Sequence, residues 1–143
     1  MKSMKAIYLL LFIVFFSSVE SRSQNLNLIG YKIRDIQKYM KDNHKSMVFQ
    51  NLTFNNTFRY FKYVNREQTQ TLFFFLSADS VCRSVRLVCD KTLRSQKVDE
   101  LNSKYKPVGV NRWEEERNGQ KYNIELKDEE WTFNVTINIK PVK

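Results

Sequence analysis

One pattern of apolar and polar residues occurs twice in this chain, at a shift of about fifty residues. A repeated unit can bury its apolar face against its copy, so this pattern constrains the fold more than any single motif does. The alternative interpretation is that two adjacent hairpins merely look alike. The matched apolar positions are Leu76 with Leu126, Val85 with Val135 and Leu87 with Ile137.

Each copy is preceded by a stretch with the three- and four-residue apolar spacing of an amphipathic helix. The first stretch runs from Ile33 to Asn43, and the second covers residues 98–105, with Thr92 as its predicted N-cap. Pro107 and Gly109 are predicted to end the second helix, because proline cannot continue a helix and glycine commonly follows one.

Outside these two stretches, apolar and polar residues alternate as in strands with one buried face. Asn118-Gly119 predicts a type I′ hairpin. We therefore expect an α+β fold, in which an antiparallel sheet is covered by two helices and built from two related α-βββ halves. The halves are residues 29–90 and 91–140 of a single domain, residues 24–143. The predicted strands are 47–54, 57–64, 71–76, 81–89 and 110–116, followed by two that begin near Gln120 and Trp131.

Residues 1–23 have the composition of a secretory signal peptide. Two lysines precede an apolar run at 6–16, which is too short to span a bilayer, and small residues follow it. Cleavage is expected after Ser21 or Ser23. We therefore expect a periplasmic or secreted protein without a transmembrane span after cleavage.

The chain is basic, with a net charge of +9, and removal of residues 1–23 leaves +7. This charge favours anionic partners, such as an acidic protein or the surface of the cell envelope. Nucleic acid is not expected as a partner, because the basic residues are scattered and no binding motif is present.

The two cysteines, Cys82 and Cys89, fall in one predicted strand. At about 3.3 Å per residue they would lie roughly 23 Å apart, whereas a disulfide needs Cα atoms about 4.4–6.8 Å apart. We therefore expect free thiols. Their odd spacing predicts opposite faces, with Cys89 inward. The register shared with the second copy places Arg83 inward as well, unless a β-bulge lies near Cys82.

The first copy departs from the second at one place. Two phenylalanines stand where the second copy has Asn123 and Glu125, on the face opposite the predicted core. Large apolar side chains beside an arginine on a polar sheet face are typical of a binding surface. The alternative is that the extra strand of the first half, or residues 24–31, covers this face. The predicted binding residues are Phe73, Phe75, Arg86 and Val88.

No pattern in the sequence predicts an enzyme. His44 is the only histidine, the adjacent carboxylates diverge along a strand or turn, and three scattered glycines cannot form a phosphate loop. We therefore expect no catalytic residues, no bound metal and no cofactor.

The order of these elements across residues 30–140 resembles that of the beta-lactamase inhibitory proteins and of small outer-membrane assembly lipoproteins. The chain lacks the disulfides of the first group and the lipidated cysteine of the second. The resemblance implies protein binding without catalysis. We therefore predict an exported, non-enzymatic binding module, most simply for a protein. The alternative is a carrier of a small apolar or amphipathic ligand, held between helix 33–43 and the aromatic-rich strands at 49–63.

Overall fold

The computed structural model describes residues 25–55 and 57–142. The predicted signal peptide lies outside the described residues. Among those residues, no helix is both long enough and apolar enough to cross a membrane.

Eight antiparallel strands form one continuous sheet and make up about half of the described chain. Their order is β1-β2-β3-β4-β8-β7-β6-β5, so the first four strands and the last four meet where β4 pairs with β8. The strands are β1 (Met47–Phe54), β2 (Arg59–Asn65), β3 (Gln70–Leu76), β4 (Cys82–Asp90), β5 (Lys106–Gly109), β6 (Arg112–Arg117), β7 (Gln120–Asp128) and β8 (Thr132–Ile139).

The helical content is small. One short helix, α1 (Ile33–Asn43), precedes the sheet, and a second segment begins as a 3-10 turn at Lys91–Leu93 and continues as α2 (Arg94–Lys104). An eleven-residue helix is about 16 Å long, whereas eight strands span roughly 34 Å. The predicted α+β fold, with two helices covering the sheet and α-βββ halves, is therefore wrong. The fold is mostly antiparallel sheet, and four strands lie on each side of the junction between β4 and β8.

Strand β5, which the sequence did not predict, explains part of this error. Pro107 and Gly109 are typical of a helix end, yet both lie in β5, which pairs with β6. Proline is tolerated there because β5 is at the edge of the sheet and needs no second hydrogen-bonded neighbour. Thr92 also differs from its predicted role, since it lies within the 3-10 turn and Leu93 occupies the N-cap position.

One face of the sheet, which we call the inner face, carries the apolar core. Leu72, Phe74 and their counterparts on neighbouring strands pack there with residues of both helices, including Met40 and Leu101. The segment before α1 joins the same cluster through Leu28 and Ile29. The guanidinium of Arg117 holds this segment in place by donating hydrogen bonds to the carbonyl oxygens of Asn27 and Ile29, at 2.7 and 3.1 Å.

A β-bulge lies between β3 and β4. Phe75 pairs with Ser84 but Leu76 pairs with Cys82, so Arg83 is the extra residue and its side chain is exposed. Cys82 therefore lies in the buried cluster together with Cys89, and the prediction that they face opposite sides is wrong. The prediction of free thiols is confirmed.

The hairpin between β6 and β7 is confirmed. Arg117 pairs with Gln120, which leaves Asn118 and Gly119 as a two-residue loop. Both loop residues have positive φ, 52° and 76°. A type I′ turn requires this backbone conformation, and asparagine and glycine adopt it most readily.

Candidate functional site

Four side chains on three neighbouring strands form a cluster on the outer face of the sheet, opposite the core. We call Tyr60 of β2, Phe73 and Phe75 of β3, and Arg86 of β4 the aromatic patch. Tyr60 lies 5.5 Å from Phe73 and 5.9 Å from Phe75 between ring centroids. The two phenylalanine rings are stacked at 6.1 Å, and the guanidinium carbon of Arg86 lies 5.5 Å from the centroid of Phe75. The three aromatic rings are partly exposed and Arg86 is exposed.

The alternation of β3 places these rings outward. Leu72 and Phe74 are fully buried, so the residues between and after them point to the opposite face. Strand register then assembles the cluster, because Phe75 pairs with Tyr60 on one side and Phe73 pairs with Arg86 on the other. Cross-strand neighbours of this kind lie within contact distance of one another.

Charge on this part of the outer face is mainly positive. Lys62 pairs directly with Phe73, and Arg86 lies on the other side of the same phenylalanine. Within β1–β4 the one carboxylate is that of Asp90, the last residue of β4, about 13 Å along the strand from Arg86. The aromatic patch therefore has basic neighbours and no adjacent acid within these strands.

All four predicted binding residues lie on this outer face. Val88, the fourth, lies two residues beyond Arg86, partly buried, and pairs with Thr71 and Asn134. Whether these residues bind anything stays a prediction. Cys82, which would have joined them without the bulge, lies on the inner face instead.

Sequence reasoning missed Tyr60 and Lys62. The run around Tyr60 contains adjacent aromatic residues, so its register is ambiguous from sequence. The structure resolves it, because Phe61 and Tyr63 are buried and the residues between them point outward. The sequence does contain one usable signal. Successive side chains of a strand point to opposite faces, so Tyr60 must point outward once Phe61 is assigned to the core.

A cleft on the inner face lies between α1 and the first two strands. Its volume is about 430 Å³, and we call it the inner-face cleft. Phe49 forms part of its wall, with a ring 5.5 Å from Tyr63 and a side chain that remains 44% exposed. The lining residues are Gln37, Met40, Lys41, His44, Lys45, Met47, Phe49 and Tyr63.

His44 is the unusual polar residue of this cleft. Its side chain is only 6% exposed, and its Nε2 atom has no hydrogen-bond partner among the described residues. Burial lowers the pKa of His44 to about 4, and the positive charges of Lys104 and Lys97 add to this effect. The imidazole is therefore neutral at pH 7.

The two thiols are poorly suited to nucleophilic chemistry. Burial raises the pKa of Cys82 to about 12 and that of Cys89 to about 11, so very little thiolate exists near neutral pH. Within the described part of the chain, no three His, Cys, Asp or Glu side chains are grouped so that they could hold a metal ion.

Comparison with known protein families, curated proteins and solved structures gives no match for this chain. The resemblance described above therefore rests on the order of the elements alone.

Proposed function

We propose that this protein is an exported, non-enzymatic module that binds another protein through the aromatic patch. The observation that carries the proposal is a stacked cluster of aromatic rings, with a guanidinium over it, on the face of the sheet opposite the core. Aromatic and arginine side chains are enriched at protein interfaces and contribute most of the binding energy there.

The charge around the patch favours an acidic partner. Lys62 and Arg86 flank Phe73 on the two neighbouring strands, and Asp90 at the end of β4 is too distant to neutralise them. A carboxylate of the partner that reached Arg86 would form a charge-assisted hydrogen bond. Apolar groups of the partner would at the same time cover the rings.

The size of the surface favours a transient complex. Four strands about 4.8 Å apart and about six residues long offer roughly 400 Å². This is about half of what one partner buries in a typical stable interface. A partner confined to the aromatic patch would therefore bind weakly, and a tighter complex would extend across β8.

Export is the second part of the proposal. It rests on the basic start, the apolar run and the small residues of the sequence at 1–23. Fractionation of cells that express the full chain, followed by N-terminal sequencing of the exported form, would test it. A first residue at 22 or 24 is expected.

Arg86→Glu with Arg112→Glu as its control tests the binding surface. Both arginines are exposed on the outer face, but Arg112 lies on β6, where its guanidinium nitrogen is 3.6 Å from a carboxylate oxygen of Glu125. Affinity capture from the native envelope or secreted fraction should recover a partner with the wild type and with Arg112→Glu, and lose it with Arg86→Glu. Equal recovery with all three proteins would overturn the proposal.

A third variant, Phe75→Ser, separates the ring from the charge. Loss of the partner with Phe75→Ser while the thermal transition remains cooperative would support the aromatic contact. Capture of a partner by Phe75→Ser at wild-type level would show that the rings take no part in binding.

A further inference from the structure

We propose that the inner-face cleft binds an anionic amphiphile, such as a long-chain carboxylate. The apolar chain lies against Met47 and Phe49, and the anionic head group lies between Lys41 and Lys45. This site is separate from the aromatic patch, because it lies on the opposite face of the sheet, and it does not depend on the proposed protein partner.

The shape and lining of the cleft suit an apolar chain. Met40 and Tyr63 are buried at its base, and Met47 and Phe49 form a wall that is partly open to water. Its volume of about 430 Å³ lies within the range of small-molecule sites, roughly 300–1,000 Å³. Methionine side chains adapt to chains of different shape, which favours a class of ligands over one rigid molecule.

The charge of the cleft selects the sign of the head group. Lys41 and Lys45 line it, are exposed, and take part in none of the ion pairs found among the described residues. The lining contains no carboxylate. An anion at the rim would therefore meet two ammonium groups. The nearby carboxylate of Asp42, which interacts with both lysines, is itself paired with Lys38.

His44 supplies a second, independent observation. A buried polar atom without a partner is costly, and such atoms are rare in folded proteins. The imidazole lines the same cleft, and its Nε2 atom has no partner within the described residues. As a neutral ring in the tautomer that carries hydrogen on Nε2, it would donate one hydrogen bond to a ligand oxygen.

The contact between α2 and β6 differs in the pairing of its buried polar atom. Near α2 the indole of Trp113 is 3% exposed, and its Nε1 donates a 2.8 Å hydrogen bond to Oδ1 of Asn102 on that helix. There a large side chain fills the space between helix and strand and satisfies its own polar atom. Near α1, the side chain of Phe49 is 44% exposed and the Nε2 atom of His44 has no hydrogen-bond partner within the described residues.

Titration with decanoate, followed by calorimetry and by the NMR signal of His44, tests the inference. Decanol has a similar chain without the negative charge, and decyltrimethylammonium has the opposite charge. Decanoate should bind best, decanol at least about tenfold more weakly, and the cation weakest, because two ammonium groups line the site. The His44 signal should shift with decanoate.

The double variant Lys41→Glu/Lys45→Glu should bind decanoate on the order of tenfold more weakly. Its control is Lys121→Glu/Lys127→Glu, which changes the net charge equally but on strand β7, away from the cleft. This control should keep wild-type affinity.

Three results would overturn the inference. They are the absence of decanoate binding at millimolar concentration, equal binding of decanoate and decanol, and equal losses in the two double variants. Phe75→Ser should bind decanoate as the wild type does, so failure of the protein-binding proposal and failure of this one can be told apart.

Discussion

The first four strands and the last four strands present similar inner faces but different outer faces. On the inner face, Phe74 of β3 and Ile124 of β7 are both buried in the same core. On the outer face, β3 presents Phe73 and Phe75, whereas β7 presents Asn123 and Glu125. The inner face is constrained by packing in both regions, so the outer face is where the two regions are free to differ.

The first four and the last four strands also differ in their contacts with the helices. Near α2 the Nε1 atom of Trp113 is paired with Asn102, whereas near α1 the inner-face cleft is open and the Nε2 atom of His44 has no partner within the described residues. Both candidate sites therefore belong to the first four strands, one on each face. The last four strands have a buried, hydrogen-bonded Trp113 at their helix contact and a polar, acid-containing outer face.

The largest expected effect tests the distinction between the two faces. Phe74→Ala should lower the free energy of unfolding by about 3–5 kcal/mol, because it leaves a cavity in the core. Phe73→Ala, one residue away on the opposite face, should cost about 1 kcal/mol, since its ring is partly exposed. Urea unfolding of both variants measures the difference.

The second region provides the control for that comparison. Ile124→Ala should cost about 2–5 kcal/mol and Asn123→Ala less than about 0.5 kcal/mol. If Phe73→Ala is as costly as Phe74→Ala while Asn123→Ala is neutral, the outer aromatic rings are core and the binding surface does not exist.

A smaller effect is expected for the pH dependence of stability, and it distinguishes the residues that end the two helices. His44 and Tyr105 are the C-cap residues of α1 and α2, and both are buried, but only His44 titrates between pH 4 and 7. The pKa of His44 is lowered to about 4 in the folded state, so the unfolded state takes up the proton first. Stability is therefore full above about pH 6.5 and falls by up to about 3 kcal/mol as the pH drops to 4.

His44→Leu should remove that part of the pH dependence. Carboxylates such as Asp128, whose pKa is lowered by Arg94, lose their stabilising charge at still lower pH and are common to both proteins. Between pH 7 and pH 4 the unfolding free energy of the variant should rise by up to about 3 kcal/mol relative to that of the wild type. Parallel curves would contradict a neutral buried His44.

The smallest expected effect on stability concerns the two edges of the sheet. Edge strand β1 has eight residues and exposes Val48 by 44%, whereas β5 has four residues, includes Pro107 and exposes Val108 by 49%. Long apolar edges invite pairing with another chain, and short edges with proline resist it.

Val48→Lys should therefore raise the concentration at which the protein self-associates, with a stability change within about 0.5 kcal/mol. Val108→Lys should leave that concentration unchanged. Light scattering over a concentration series measures the self-association of both variants. An equal response of the two variants would contradict the proposed difference between the two edge strands.

The sequence by itself determined the features that depend on local periodicity. Alternation places Phe74 inward and Phe73 outward, because successive side chains of a strand point to opposite faces. Asn118-Gly119 predicted its hairpin because few other residues accept positive φ. The helix at Ile33–Asn43 was predicted because its apolar residues recur every three or four positions, and in a helix such residues lie on one face.

Only the tertiary structure decided which strands are neighbours and what their pairing brings together. Three features depend on pairing between strands. They are the bulge that turns Cys82 inward, the position of Tyr60 beside Phe75, and strand β5 at Pro107. The inner-face cleft likewise depends on how α1 meets β1 and β2. Register and packing are non-local, since a shift of one residue would exchange the two faces of a strand, and the local pattern alone does not fix them.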